Sequence, residues 1–241
     1  MVFDVSWVAL GLPLLVVFLG ALAQGLFGFG LALMAAPVLI YLNPNWVPGP
    51  ILVTMLILSL AISWRERGAV DRRTLGVPMS GQALGVIVAL GVLSWIEPRN
   101  LSLLIGAMIL IAVSLSLFGL KVAPRPGSLL AAGVLSGFMG TTASIPGPPL
   151  ALLHQDVSPG RLRGTLAHFF VVGNAFSLLG LTWTGRFTLS ALAAGLILVP
   201  AAALGFWAST RMADHFGGSR IRQGVLLFSS LGAFGLIYRV F

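Results

Sequence analysis

Residues 24–38 read QGLFGFGLALMAAPV, and residues 133–153 read GVLSGFMGTTASIPGPPLALL. Both carry the pattern Gly-x-x-Gly-x8-Pro: Gly25, Gly28 and Pro37 in the first, Gly137, Gly140 and Pro149 in the second. Each pattern lies in an apolar run and precedes an apolar segment too short to cross a bilayer. Residues 31–42 would make a helix of about 18 Å and residues 147–155 one of about 13 Å, against a hydrocarbon core of about 30 Å. Breakers at matching places in two halves of an apolar chain predict a transport site built from interrupted helices. Each short run reads as the second arm of a re-entrant hairpin or as the second half of a broken helix. Non-helical backbone at that depth has to be buried in protein or line a wet cavity.

The rest of the chain agrees with a membrane reading. Of 241 residues, 58% are hydrophobic and 8% are charged, the composition of a polytopic membrane protein. Runs at 7–28, 75–95, 99–119, 188–209 and 220–240 read as spans, as does 164–184 with some polar residues, and 50–64 is short but can extend back through Trp46. The stretch Lys121–Pro126 (KVAPRP) is a linker whose prolines interrupt helix. It divides a first membrane repeat, 1–120, from a second, 127–241. The expected fold is all-α, with eight to ten membrane segments in two repeats of opposite orientation, each a hairpin followed by three spans. The chain has no Cys, which excludes disulfides and thiol chemistry. No zinc-helix motif, phosphate loop or dinucleotide fingerprint is present, so neither metal nor cofactor is expected. The first residues carry Asp4 and no Lys or Arg, so a basic n-region of a cleavable signal is missing.

The net charge of +8 reads as topology rather than nucleic-acid binding. Arg65, Arg67, Arg72, Arg73, Lys121, Arg125, Arg161, Arg163, Arg211, Arg220 and Arg222 can all share the cytoplasmic side. Arg99, Arg186 and Arg239 then remain outside, as do both termini, in a cell inner membrane.

The breaks carry the chemistry. The first helix is expected to stop around Gly28-Phe29-Gly30 and to resume near Leu31. The second is expected to break over Thr141-Thr142-Ala143-Ser144 and to resume at Pro146-Gly147-Pro148-Pro149, with Ser144 as N-cap. Each short helix would turn free N–H groups and its positive dipole end toward the midplane, where they attract anions. Gln24, Thr141, Thr142 and Ser144 add side-chain donors. Gly28, Phe29, Gly30, Gly147 and Pro148 complete the expected binding set. Gly25, Pro37, Gly137, Gly140 and Pro149 are read as structural, since small residues also permit close helix packing. All six acidic residues fall in loops or at span ends, which points away from a cation site. His168, embedded in a span, is read either as a substrate contact or as an interhelical hydrogen bond. His154, Arg163 and Asn174 are candidates for a gate or for coupling to protons, with interfacial placement and topology as the plainer roles. Gly133-Val-Leu-Ser-Gly137 with a distant His superficially suggests an intramembrane serine protease, but the spacing departs from Gly-x-Ser-Gly, and Ser136 matches Gln24 in the repeat.

Four stretches resemble the sulfite exporter TauE/SafE family of the toluene-sulfonate uptake permease superfamily: GLFGFGLALMAAPVL (25–39), WRERGAVD (64–71), GVLSGFMGTTASIPGPPLALL (133–153) and RLRGTL (161–166). The resemblance implies a small permease moving sulfite, sulfonates or related organic acids, with about eight spans in two homologous halves. The chain departs at its second break, where a single glycine precedes the prolines of a usually glycine-rich stretch. The resulting expectation is a non-enzymatic secondary transporter for small anions working by alternating access, with a passive anion channel as the alternative. Its partners would be the anion, the lipid bilayer and, for coupling, protons. The oligomeric state stays open.

Overall fold

The computed structural model describes residues 7–70, 74–118, 122–212 and 219–238. These residues form ten α-helices and no strand: Trp7–Phe27 (α1), Leu31–Leu42 (α2), Gly49–Arg65 (α3), Gly76–Trp95 (α4), Pro98–Phe118 (α5), Pro126–Ala143 (α6), Gly147–Leu152 (α7), Pro159–Trp183 (α8), Leu189–Met212 (α9) and Ser219–Tyr238 (α10). Five segments are long and apolar enough to cross a membrane, within α1, α3 with its preceding turn, α4, α8 and α9. The chain is thus a multi-pass membrane protein.

Proline marks several of the helix starts. α3, α6, α7 and α8 each have Pro in the first two positions, where the missing N–H costs nothing. Pro126, expected in the linker, is the first residue of α6. The short run expected over 147–155 is helical only to Leu152.

Close packing of helices depends on glycine. α6 lies on α4, with Gly133 against Pro78, Gly137 against the Gln82 carbonyl, and Gly81 and Gly85 against Leu130 and Val134. α1 lies on α9 in the same way, with Gly205 against Phe18 and Gly25 against Ser209. Small residues let backbones approach when lipid offers no hydrophobic drive between helices. α3 packs on α8 and α9, α8 also on α4, α5 on α10, α2 on α10, and α7 on α5. Phe169 and Phe170, both fully buried on α8, meet edge to face with centroids 6.2 Å apart.

The two ends of the molecule differ in charge. Arg65, Arg67, Arg125, Arg161, Arg163 and Arg211 gather at the end formed by the C-termini of α3 and α9 and the N-termini of α4, α6 and α8. Arg186 lies at the opposite end, beside Pro44 and Ile96. Exposed tryptophans mark both levels: Trp64 and Trp207 at the arginine-rich end, Trp95 and Trp183 at the other. Arg67 sits 4.6 Å over the Trp64 ring and Arg211 5.2 Å over Trp207. Aromatic girdles of this kind belong at membrane–water interfaces. Arg72, Arg73, Lys121 and Arg239 lie outside the described residues.

Candidate functional site

Both helix breaks exist, and they meet. A cavity of about 10 Å³ is lined by Gln24, Phe29, Gly30, Ala32, Leu33 and Met55 from the first half. Ser144, Ile145, Pro146, Gly147, Pro148 and Phe170 line it from the second half. A Cβ on Gly147 would come within 2.6 Å of the Phe29 Cβ, so the two breaks touch across this point.

The first break is a glycine turn. Gly28 has φ 89° and Gly30 φ 149°, conformations that L side chains avoid and glycine adopts freely. The Gly28 N–H donates to the Gln24 carbonyl at 2.8 Å, closing α1, and α2 starts at Leu31. The Leu31 N–H donates to Gln24 Oε1 at 3.3 Å. Gln24 is fully buried, and its Nε2 has no hydrogen-bond partner among the described residues. A buried amide donor left unpaired is costly, and this one stands beside the first-turn N–H groups of a helix of 12 residues. Gln24, with its one unpaired donor, and the N-terminal end of α2 thus border a space walled by Phe29, Met55 and Phe170.

The second break lies further along than the residue types suggest. Thr141, Thr142 and Ala143 are still helical, and the break is Ser144 to Pro146. Each threonine hydroxyl donates back to its own helix, Thr141 Oγ1 to the Gly137 carbonyl at 2.8 Å and Thr142 Oγ1 to the Phe138 carbonyl at 2.7 Å. That i−4 bond lets a hydroxyl ride inside an apolar helix without breaking it. Ser144 does not cap α7. It is the left-handed C-cap of α6, φ 63°, with its Oγ donating to the Pro48 carbonyl at 3.2 Å. The N-cap of α7 is Pro146, which offers no side-chain cap. Because Pro146, Pro148 and Pro149 have no N–H, Gly147 supplies the single backbone donor among these four. With six residues, α7 has little dipole to add.

The remaining expected residues fall into distinct places. Gly140 backs onto Pro146, where a Cβ would be 3.1 Å from its ring, and Pro37 lies inside α2 against Gly232. Pro149 is buried in the first turn of α7. Thr141 also bonds Ser177 Oγ at 2.8 Å, tying α6 to α8. His168 Nδ1 is 2.7 Å from Ser63 Oγ, an α3–α8 hydrogen bond away from the cavity lining. His154 Nδ1 is 3.0 Å from the Leu150 carbonyl. Asn174 is buried beside Gly173, which abuts the Gln82 side chain, and its Nδ2 has no partner among the described residues. Arg163 Nε donates to Glu66 Oε1 at 2.9 Å. Glu66 also pairs with Arg65, at 3.0 Å, a cluster the sequence does not announce because each residue, read alone, is one more charge at a span end. The signal available was the adjacent Arg65-Glu66-Arg67 triplet in WRERGAVD.

Two larger cavities flank the centre. One of about 360 Å³ shares Phe29 and Pro148 with it and extends past Leu26, Leu115, Gln155 and Leu162 toward the arginine-rich end. One of about 270 Å³ opens at the other end along Pro44, Pro48, Leu93 and Arg186. The Ser144–Pro48 bond joins the wall of the centre to the wall of this second cavity.

The broken helices of this polytopic protein face each other across a small, mostly apolar centre with a larger cavity on either side, and interrupted helices of this kind recur in transporter folds. The chain belongs to the sulfite exporter TauE/SafE family, whose model matches residues 13–236. No curated protein and no solved structure matches it.

Proposed function

We propose that the chain is a secondary transporter of small anions, of the sulfite class or related sulfonates and organic acids, that binds its substrate between the two breaks and alternates access. The observation that carries the reading is the unpaired Gln24 Nε2 beside the N-terminus of α2, on a side chain that lines the cavity shared with Ser144–Pro148. The family supports the anion class. Gln24, Phe29, Gly30 and Gly147 would contact the substrate, and Gly28 would shape the turn. Thr141 and Thr142 would hold α6 in shape rather than donate to the anion.

Two repeats of opposite orientation would supply the motion. Packing supports them: α6 on α4 matches α1 on α9, α2 on α10 matches α7 on α5, and α3 meets α8 as α5 meets α10, each with its own counterpart. At about 10 Å³ the centre has room for one water at most, so its walls would have to part to admit a substrate. Phe29 and Pro148 would part on one side, and Ser144 and Pro48 on the other. The arginine-rich end would be cytoplasmic, in a cell inner membrane, with proton coupling as the drive that separates this reading from a passive channel.

Gln24→Glu tests the site. The Oε1 that accepts from Leu31 is retained, while the free donor is replaced by a negative charge. Folded protein is expected to lose sulfite binding in calorimetry and sulfite uptake in liposomes. Normal affinity in that variant would overturn the site.

A further inference from the structure

Arg65 on α3 and Arg163 on α8 converge on one carboxylate oxygen. Arg65 Nε lies 3.0 Å and Arg163 Nε 2.9 Å from Glu66 Oε1. Arg65 Nη2 donates to the Gly25 carbonyl at 2.7 Å, and Arg163 Nη1 is 3.5 Å from the Leu26 carbonyl. Both carbonyls belong to the last turn of α1, at the edge of the first break. The three side chains are largely but not fully buried, between 13% and 22% exposed, and the trio carries one net positive charge. Glu66 also packs against Gly160 and Gly164 in the first turns of α8, the end of that helix that favours negative charge. Leu26 and Leu162, the neighbours of this knot, line the cavity that reaches the central wall at Phe29 and Pro148.

Two guanidinium groups held by opposite halves of the chain, around a carboxylate at a helix N-terminus, are the geometry of an oxyanion site. We propose that Arg65 and Arg163 form a second anion subsite at the mouth of the first break, held in this conformation by the chain's own Glu66 carboxylate. The ligand class is a small oxyanion of the kind proposed for the centre, and the inference rests on that reading for its place on the route. A permeant anion takes the arginines as Glu66 swings away. Freed from Glu66, the halves lose their ionic tie beside α1, and the wall at Phe29 and Pro148 can part. Glu66 is a competitor for the site and not a substrate contact.

The test measures sulfite binding to the purified full chain in a background where the centre is silenced. Gln24→Glu alone is expected to bind no sulfite. Gln24→Glu with Glu66→Gln is expected to regain binding, and adding Arg163→Gln to remove it again, by roughly ten- to hundred-fold. A folded Gln24→Glu/Glu66→Gln protein that binds no sulfite overturns the subsite and leaves the trio a structural tie. Sulfite binding by Gln24→Glu alone instead counts against the centre. The subsite is then read from whether Glu66→Gln tightens and Arg163→Gln weakens what remains, and no change in either overturns it. Should Glu66→Gln not accumulate, Glu66→Asp draws the carboxylate back by one methylene and is expected to lower KM for sulfite uptake. An unchanged KM overturns the proposal.

Discussion

The two breaks share a motif spacing and differ in how they stop a helix. Following Gly28, the first half has Phe29-Gly30, and α1 ends at once in a turn of two positive-φ glycines. Following Gly140, the second half has Thr141-Thr142, and α6 runs on to Ala143 with both hydroxyls bonded back to their own helix. It stops at Ser144, in a left-handed conformation, and three prolines then restrict the return. The consequence is a division of labour. The first break leaves the Gln24 Nε2 unpaired beside the first turn of α2, whose Leu31 N–H is taken by Gln24 Oε1. The second consumes its hydroxyls internally and presents mostly apolar proline. Repeated spacing therefore does not mean repeated chemistry, and the polar side of the centre is the glycine break.

The largest expected effect comes from filling the point where the breaks touch. Gly30→Val meets Ala23 and a strained φ, and Gly147→Val meets Phe29. Both are expected to abolish sulfite flux in liposomes. Gly11→Val, with nothing within 4 Å, is expected to be nearly silent. Robust flux through either of the first two would separate the breaks from the transport path.

Next in size is the contrast in donors. Gln24→Leu is expected to weaken sulfite affinity by roughly ten- to hundred-fold, while Thr142→Ala leaves it little changed. Equal losses at both positions, measured by calorimetry, would return the second break to the role of co-donor.

A smaller effect separates strain from bonding at Ser144. Ser144→Ala keeps the left-handed backbone and loses the bond to Pro48, at about 1 kcal/mol. Ser144→Gly loses the same bond but relieves roughly 1–2 kcal/mol of conformational cost. Its melting temperature is expected to equal or exceed that of the Ala variant. A markedly lower value for Gly would show that the αL cap is not what ends α6.

The smallest perturbation tests the orientation of the whole. Cysteines at the exposed positions Gly68 and Thr184 are expected to leave activity intact in a chain with no native Cys. An impermeant thiol reagent applied from outside is expected to label the second and spare the first. The reverse pattern would invert the membrane orientation and, with it, which cavity faces the cytoplasm.

Sequence alone determined most of the elements, though not where the second break falls. The expected run 31–42 is α2 to the residue, 75–95 is α4 within one, and the interruption at Gly28–Gly30 is where α1 gives way to α2. Those features are local: apolar length against bilayer thickness, glycine for positive φ, proline for a first turn. What the tertiary structure alone decided is which polar groups are spent and which are spare. A hydroxyl in an apolar helix can always fall back on the carbonyl four residues behind it, and Thr141 and Thr142 do so, whereas Ser144 reaches Pro48 across the fold. Gln24 is spare on one side because its other atom caps Leu31, seven residues away. Arg163 meets Glu66 only because α3 and α8 pack together, 97 residues apart in the chain. Partners at that distance are chosen by helix packing, and no local pattern in either segment records the choice.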